Sequence, residues 1–144
     1  MKTFDDTQLY KLLYGKDFSK IKDFLEKYGL DSVDRDGRTF LMTAVVDGDE
    51  KLVKDLLALG CGINNKDSKG LTAFHLAAIN NKIDAVKVLL SFNADVNIVD
   101  DNGNSALLRA VANKNSEIIN FLLENGSDID LANKHGISPK DLLE

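Results

Sequence analysis

Apolar residues recur along the chain in two alternating clusters. The first kind is Leu41, Ala44 and Val45, then Phe74, Ala77 and Ala78, then Leu107, Ala110 and Val111. Their i, i+3, i+4 spacing marks one face of a helix. The second kind is Leu52, Val53, Leu56 and Leu57, then Ala85, Val86, Leu89 and Leu90, then Ile118, Ile119, Leu122 and Leu123. Gly48 and Asn81 close first clusters, and Gly60, Asn93 and Gly126 close the second ones. Glycine and asparagine accept the left-handed conformation that ends a helix, whereas Lys114 departs from that pattern. Short extended pieces follow at Ile63-Asn64, Val96-Asn97 and Ile129-Asp130. The pattern predicts helix, turn, helix and extended loop, three times over.

The clusters keep a fixed phase. Gly37, Gly70, Gly103 and Gly136 stand 33 residues apart, with Asp34, Asp67, Asp100 or Asn133 three residues before each. Two residues after each glycine comes Thr39, Thr72, Ser105 or Ser138, a hydroxyl suited to an N-cap. Pro139 follows Ser138 at the first helical position, where its missing amide costs nothing. Units therefore run 34–66, 67–99 and 100–132, with a partial unit at 133–144. Two short helices cannot bury their faces alone, so stacked units share one continuous core. The expected class is all-α, a solenoid of stacked helix-turn-helix units with turn or hairpin loops. The alanines at 44, 77 and 110 predict close helix approach.

The ends depart from the unit. Residues 1–33 carry Phe4 where the turn glycine would stand, yet Leu9, Leu12, Leu13, Ile21, Phe24 and Leu25 keep the helical pattern. Gly15 aligns with Gly48 at a step of 33 and Ile21 with Val53 at 32, so one residue is expected to be missing between them. Asp5 and Gln8 have capping-box spacing. This segment reads as a degenerate capping repeat with a lysine-rich outer face. Residues 133–144 read as a half-repeat cap whose Leu142 and Leu143 cover the preceding unit.

Composition narrows the class further. The 144 residues are 44% hydrophobic and 28% charged, with a net charge of −5. Residues 100–144 hold four basic and eight acidic side chains, so the acidity lies late in the chain. That balance disfavours nucleic acid and suits a basic protein partner. Cys61 is the sole cysteine, which excludes an internal disulfide and fits a reducing, cytoplasmic location. Met1 to Tyr14 lacks the apolar core of a signal peptide, and no stretch approaches membrane-spanning length.

In these residues the chain resembles the ankyrin repeat. Thr72-Ala73-Phe74-His75-Leu76-Ala77-Ala78 is similar to the run that opens that family's first helix. Asn93-Ala94-Asp95-Val96-Asn97 and Gly126-Ser127-Asp128-Ile129-Asp130 resemble its closing run. Thr39-Phe40-Leu41-Met42 and Ser105-Ala106-Leu107-Leu108 are looser, without the histidine. The likeness covers 34–144 well and 1–33 weakly. It implies an ankyrin-repeat solenoid that binds protein on a concave groove of turn tips and first helices, and a structural role for His75.

Candidate chemistry is sparse. His75 and His135 are the only histidines, and no nucleophile accompanies either in its segment. Cys61 reads as a structural thiol. Asp100, Asp101, Asn102 and Gly103 superficially suggest a calcium loop, but its twelfth position is Val111 rather than glutamate. No enzyme, metal or cofactor is expected.

Surface columns vary instead. Beside the turn stand Arg35, Asp36, Arg38, Ser68, Lys69, Leu71, Asp101, Asn102 and Asn104; on the first helices stand Val46, Asp47, Ile79, Asn80 and Asn113. These are the expected partner-binding residues. Val46, Leu71 and Ile79 would form its apolar centre, with a charged and amide rim. The expected function is a non-enzymatic protein-interaction module, a monomer by itself. The alternative is a dedicated inhibitor or immunity protein that neutralises a basic bacterial toxin or enzyme.

Overall fold

The computed structural model describes residues 5–144, so the Phe4 position lies outside it. Among the described residues there are nine helices and no extended strands. They are α1 (Asp6–Gly15), α2 (Phe18–Tyr28), α3 (Phe40–Asp47), α4 (Glu50–Leu59), α5 (Ala73–Ile79), α6 (Ile83–Ser91), α7 (Ala106–Ala112), α8 (Ser116–Glu124) and α9 (Pro139–Leu143). The odd-numbered helices α3, α5, α7 and α9 pack side by side in one row, and α4, α6 and α8 form a second row. None of these helices is long and apolar enough to cross a membrane.

The helices α3, α5, α7 and α9 begin where the hydroxyls predict. Thr39, Thr72, Ser105 and Ser138 accept the amides of Met42, His75, Leu108 and Asp141. Gly48, Gly60 and Gly126 take positive φ after their helices, and so do Asn81, Asn93 and Lys114. Lys114 therefore keeps the phase despite its side chain, at φ 56°. The helices are only one to three turns long and would not hold alone in water. What holds them is burial: Phe40, Leu41, Phe74, Leu89, Leu107, Ile118 and Leu122 lie in one continuous core. Each such side chain contributes about 1.5–3 kcal/mol, far more than an exposed ion pair along one helix. Ala44, Ala77 and Ala110 are all 0% exposed and belong to that core.

The first hairpin corrects one expectation. Gly15 is helical, and the left-handed residue is Lys16, at φ 50°. Asp17 then caps α2 through Ser19 N and Lys20 N, as Asp49 caps α4 through Leu52 N. Lys16 and Asp17 thus match Gly48 and Asp49 at a step of 32, the same step as Ile21 to Val53. No residue is missing between Gly15 and Ile21. The phase shift lies outside that turn.

The extended pieces carry staples between units. Asp31 Oδ1, Asn64 Oδ1 and Asn97 Oδ1 accept the amides of Gly62, Asp95 and Asp128, at 2.7, 3.1 and 2.9 Å. Donors and acceptors both advance by 33, so one bond repeats down the stack.

Candidate functional site

The turn tips are built by the aspartate column. Asp34 Oδ1 accepts the amides of Asp36 and Arg38, both at 2.9 Å. Asp67 does the same for Lys69 and Leu71, Asp100 for Asn102 and Asn104, and Asn133 for His135 and Ile137. One carboxylate or amide oxygen thus satisfies two turn amides, and an Asp or Asn is the short acceptor that can do so. Glycine completes the turn at φ 74° to 77°. A Cβ on Gly37 would lie 2.9 Å from Ser68 N, and one on Gly103 2.9 Å from Lys134 N.

That closeness exists because the tips bond to one another. Ser68 N donates to Asp36 O, Asp101 N to Lys69 O and Lys134 N to Asn102 O, at 3.0–3.1 Å. The exposed side chains of Arg35, Asp36, Ser68, Lys69, Asp101 and Asn102 therefore stand on a continuous backbone ladder. Arg38 Nε sits 3.8 Å from Asp67 Oδ2, a charge contact without a hydrogen bond. Arg109 lies against Asp100 Oδ2 through Nε and Nη2. Burial would raise the Asp100 carboxyl, but the Arg109 bond and the Asn104 and Asn102 amides hold it below its usual range.

His75 is fully buried and joins two units. Its Nδ1 accepts from Thr72 N at 3.2 Å and meets Thr72 Oγ1 at 2.9 Å. Its Nε2 lies 2.9 Å from Asn104 O and donates to it, which assigns the neutral tautomer. Burial lowers its pKa, a direction that the Asn104 carbonyl opposes. The same column is filled differently elsewhere. Met42 Sδ accepts Thr39 N, and Asp141 Oδ2 accepts Ser138 N. Leu108 has no polar atom to offer there.

The predicted partner residues divide into three groups. Arg35, Asp36, Asp47, Ser68, Lys69, Asn80, Asp101, Asn102 and Asn113 are exposed. Arg38, Val46, Ile79 and Asn104 are half-buried, Val46 and Ile79 against the core. Leu71 is buried, at 7% exposure, and belongs to the core. The apolar centre expected from Val46, Leu71 and Ile79 is therefore not an open patch. The column misled because its other members, Arg38, Asn104 and Ile137, are half-buried or exposed. Asn104 also serves the fold: its carbonyl holds His75 and its Oδ1 accepts from Asn133 Nδ2 at 2.9 Å. Asn80 Nδ2 bonds Leu76 O, and Asn113 Nδ2 bonds Ile79 O.

Cys61 and His135 stand in different environments. Cys61 is buried, and desolvation pushes its thiol up to about 11, so it carries no thiolate near neutrality. His135 is exposed in the last turn. Among the described residues no three His, Cys, Asp or Glu side chains form a metal-sized group. Two features escaped the sequence reading. Leu12, Phe24 and Tyr28 line an open groove on the N-terminal hairpin, rimmed by Gln8, Lys11, Asp23 and Lys27. Leu142 and Leu143, expected to cover the unit before them, are 48% and 46% exposed. The counterparts of Leu143, which are Ala44, Ala77 and Ala110, are buried, so its column alone does not signal this exposure.

The family model described as Ankyrin repeats (3 copies) matches residues 41–133. No curated protein matches the chain.

Proposed function

The chain belongs to the ankyrin-repeat family, and we propose that it binds a partner protein on the concave face of turn tips and first helices. Ankyrin repeats generally bind other proteins and are typically non-enzymatic. The proposed units are 34–66, 67–99 and 100–132, with 1–33 and 133–144 as caps. The observation that carries the reading is the ladder of tip amides, which fixes Arg35, Asp36, Ser68, Lys69, Asp101 and Asn102 on a rigid backbone. Side chains on a fixed backbone lose less conformational freedom on binding. With Leu71 in the core, recognition rests on charge and amides at the tips, and Val46 and Ile79 supply a half-buried apolar floor. The test is the affinity of a partner co-purified at low salt for the triple variant Arg35→Glu, Lys69→Glu, Asp101→Arg. We expect a loss of at least about tenfold, or ~1.4 kcal/mol, at an unchanged melting temperature. An unchanged affinity overturns the reading.

A second reading is favoured by the charge asymmetry. Residues 100–144 carry eight acidic side chains against four basic ones, and Asp101, Glu117, Glu124, Asp128 and Asp130 are exposed. Such a field steers a basic protein toward the chain, as an inhibitor or immunity protein of a basic toxin requires. Co-expression discriminates: a toxin tolerated only in its presence supports this reading, and toxicity unchanged by it opposes it.

A further inference from the structure

We propose that Asn125 is a modification site, whose side-chain amide is lost by attack of the next residue's backbone nitrogen, with water as the co-reactant. The inference goes beyond partner binding and does not depend on it. An Asp or Asn precedes glycine at Asp36-Gly37, Asp47-Gly48, Asn102-Gly103 and Asn125-Gly126. Glycine has no Cβ to crowd its nitrogen or restrict its backbone, so this pairing lets the nitrogen reach the preceding Cγ. In three of the four pairs that nitrogen is already committed. Gly37 N donates to Asp34 O at 3.1 Å, Gly48 N to Ala44 O and Val45 O at 3.1 Å, and Gly103 N to Asp100 O at 2.9 Å. Gly126 N donates to no acceptor among the described residues. Asn102 and Asn125 are both exposed, so bonding rather than access tells the two Asn-Gly pairs apart.

The turn at Asn125 is also the easier one to rearrange. Asn125 follows α8 with ψ 24°, and ring closure requires that angle to turn. Three bonds hold it: Asn125 Nδ2 to Phe121 O at 2.7 Å, Asn125 N to Leu122 O at 3.2 Å and Ser127 N to Leu122 O at 3.0 Å. All three belong to the frayable end of one helix. A fourth, from Asn97 Nδ2 to Gly126 O, is long at 3.3 Å. Gly126 itself, at φ 93°, has no atom within 4 Å of where a Cβ would lie, so it has room to follow. Asn102 stands instead in the tip ladder. To move, it must part its own amide from Asp100 Oδ1 at 2.9 Å, Gly103 N from Asp100 O, and Lys134 N from its carbonyl at 3.0 Å. The last of these ties one unit to the next.

The reaction balances without oxidant or reductant. Gly126 N gives its proton to water and bonds to Asn125 Cγ. The Cγ–Nδ2 bond breaks, and Nδ2 takes up a proton and leaves as ammonia. Water then opens the cyclic imide at either carbonyl, which leaves aspartate or isoaspartate at 125. Each product puts a carboxylate where Nδ2 donated to Phe121 O, at the negative end of α8 and beside the exposed Glu124 and Asp128. Isoaspartate also inserts a methylene into the main chain just before the atoms that Asn97 staples, Gly126 O and Asp128 N. Modification therefore loosens the joint between units 67–99 and 100–132, while the tip amide of Asn102 is spared.

Peptide mapping by mass spectrometry tests this on the full chain, held at mildly alkaline pH and sampled over time. The Asn125 peptide should gain the mass difference between water and ammonia. Isoaspartyl methyltransferase with a labelled methyl donor should mark the isoaspartate fraction in the same peptide. Asn102 should convert at least about tenfold more slowly, because its ladder has to open first. In guanidinium chloride the two rates should converge, since both residues precede glycine; this readout needs no variant to fold. Asn125→Asp, which makes one product directly, should lower the melting temperature. An Asn125 rate in the folded chain no greater than that of Asn102 overturns the proposal. So does an Asn125 that stays intact in the folded chain while the denatured chain converts. An unchanged melting temperature in Asn125→Asp overturns the loosening of the joint.

Discussion

Replacing His75 with leucine should cost the stack about 2–4 kcal/mol near neutral pH. The side chain is fully buried, so leucine keeps most of its volume and removes only its bonds. Thr72 N loses the Nδ1 acceptor at 3.2 Å, and Asn104 O loses the Nε2 donor at 2.9 Å. A buried polar group left without a partner costs about 1–3 kcal/mol; two backbone groups are orphaned, and the Thr72 hydroxyl loses its 2.9 Å contact with Nδ1 as well. Alanine should cost about 1–2 kcal/mol more for the cavity. Against a total of about 5–15 kcal/mol this is a large fraction. The effect also has a pH signature. Burial holds the folded pKa below 6.5, so in acid the unfolded chain takes up a proton that the folded chain refuses. Stability from this group is fully present above pH 6.5 and is lost as pH falls toward the folded value. Urea unfolding from about pH 8 to about pH 5 should therefore show the wild type losing its advantage over His75→Leu in acid. His135 is common to both chains and cancels. A loss under about 0.5 kcal/mol at the upper pH, below what one orphaned group costs, would refute the bridging role. So would a wild-type advantage that does not change with pH.

Three further outcomes follow from burial and backbone geometry. Gly37→Ala and Gly103→Ala should each destabilise by more than about 1 kcal/mol, because a Cβ meets the next tip's amide at 2.9 Å. Gly136→Ala, at φ 76° with nothing within 4 Å, should cost less in the same thermal melt. Leu71→Arg should lower the melting temperature steeply, since it buries a charge at a 7% exposed position, while Asp101→Arg leaves it unchanged. Cys61 should resist an aromatic disulfide reagent in the folded chain and react promptly in denaturant; fast native reaction would contradict its burial.

Much of this architecture was legible because its determinants are local and repeat. Turn glycines, capping hydroxyls and the apolar faces of α3 to α8 each follow from a few neighbouring residues, and the 33-residue phase cross-checks every column. The left-handed Lys114 was legible only from phase, since its side chain argues against that conformation. The surface was less legible. Leu71 stands in a column with Arg38, Asn104 and Ile137, and only the packing around its own unit decides that it points inward. Asn104 looked like a rim residue, yet its carbonyl is claimed by His75 from the unit before, a contact 29 residues away in sequence. The 32-residue offset was visible, but Gly15 drew the left-handed assignment that belongs to Lys16. The inter-unit bonds of Asp31, Asn64 and Asn97 likewise depend on a neighbour that pattern alone does not locate.

The claim that the tips and first helices form the binding surface is met most directly by amide hydrogen exchange on the chain with its co-purified partner bound. Protection should gather on the first-helix ends at 46–47, 79–80 and 113 and at the tips 35–38, 68–69 and 101–102, leaving the outer faces of α4, α6 and α8 exchanging as in the free chain. Protection confined to those second helices, with the tips unchanged, would contradict it.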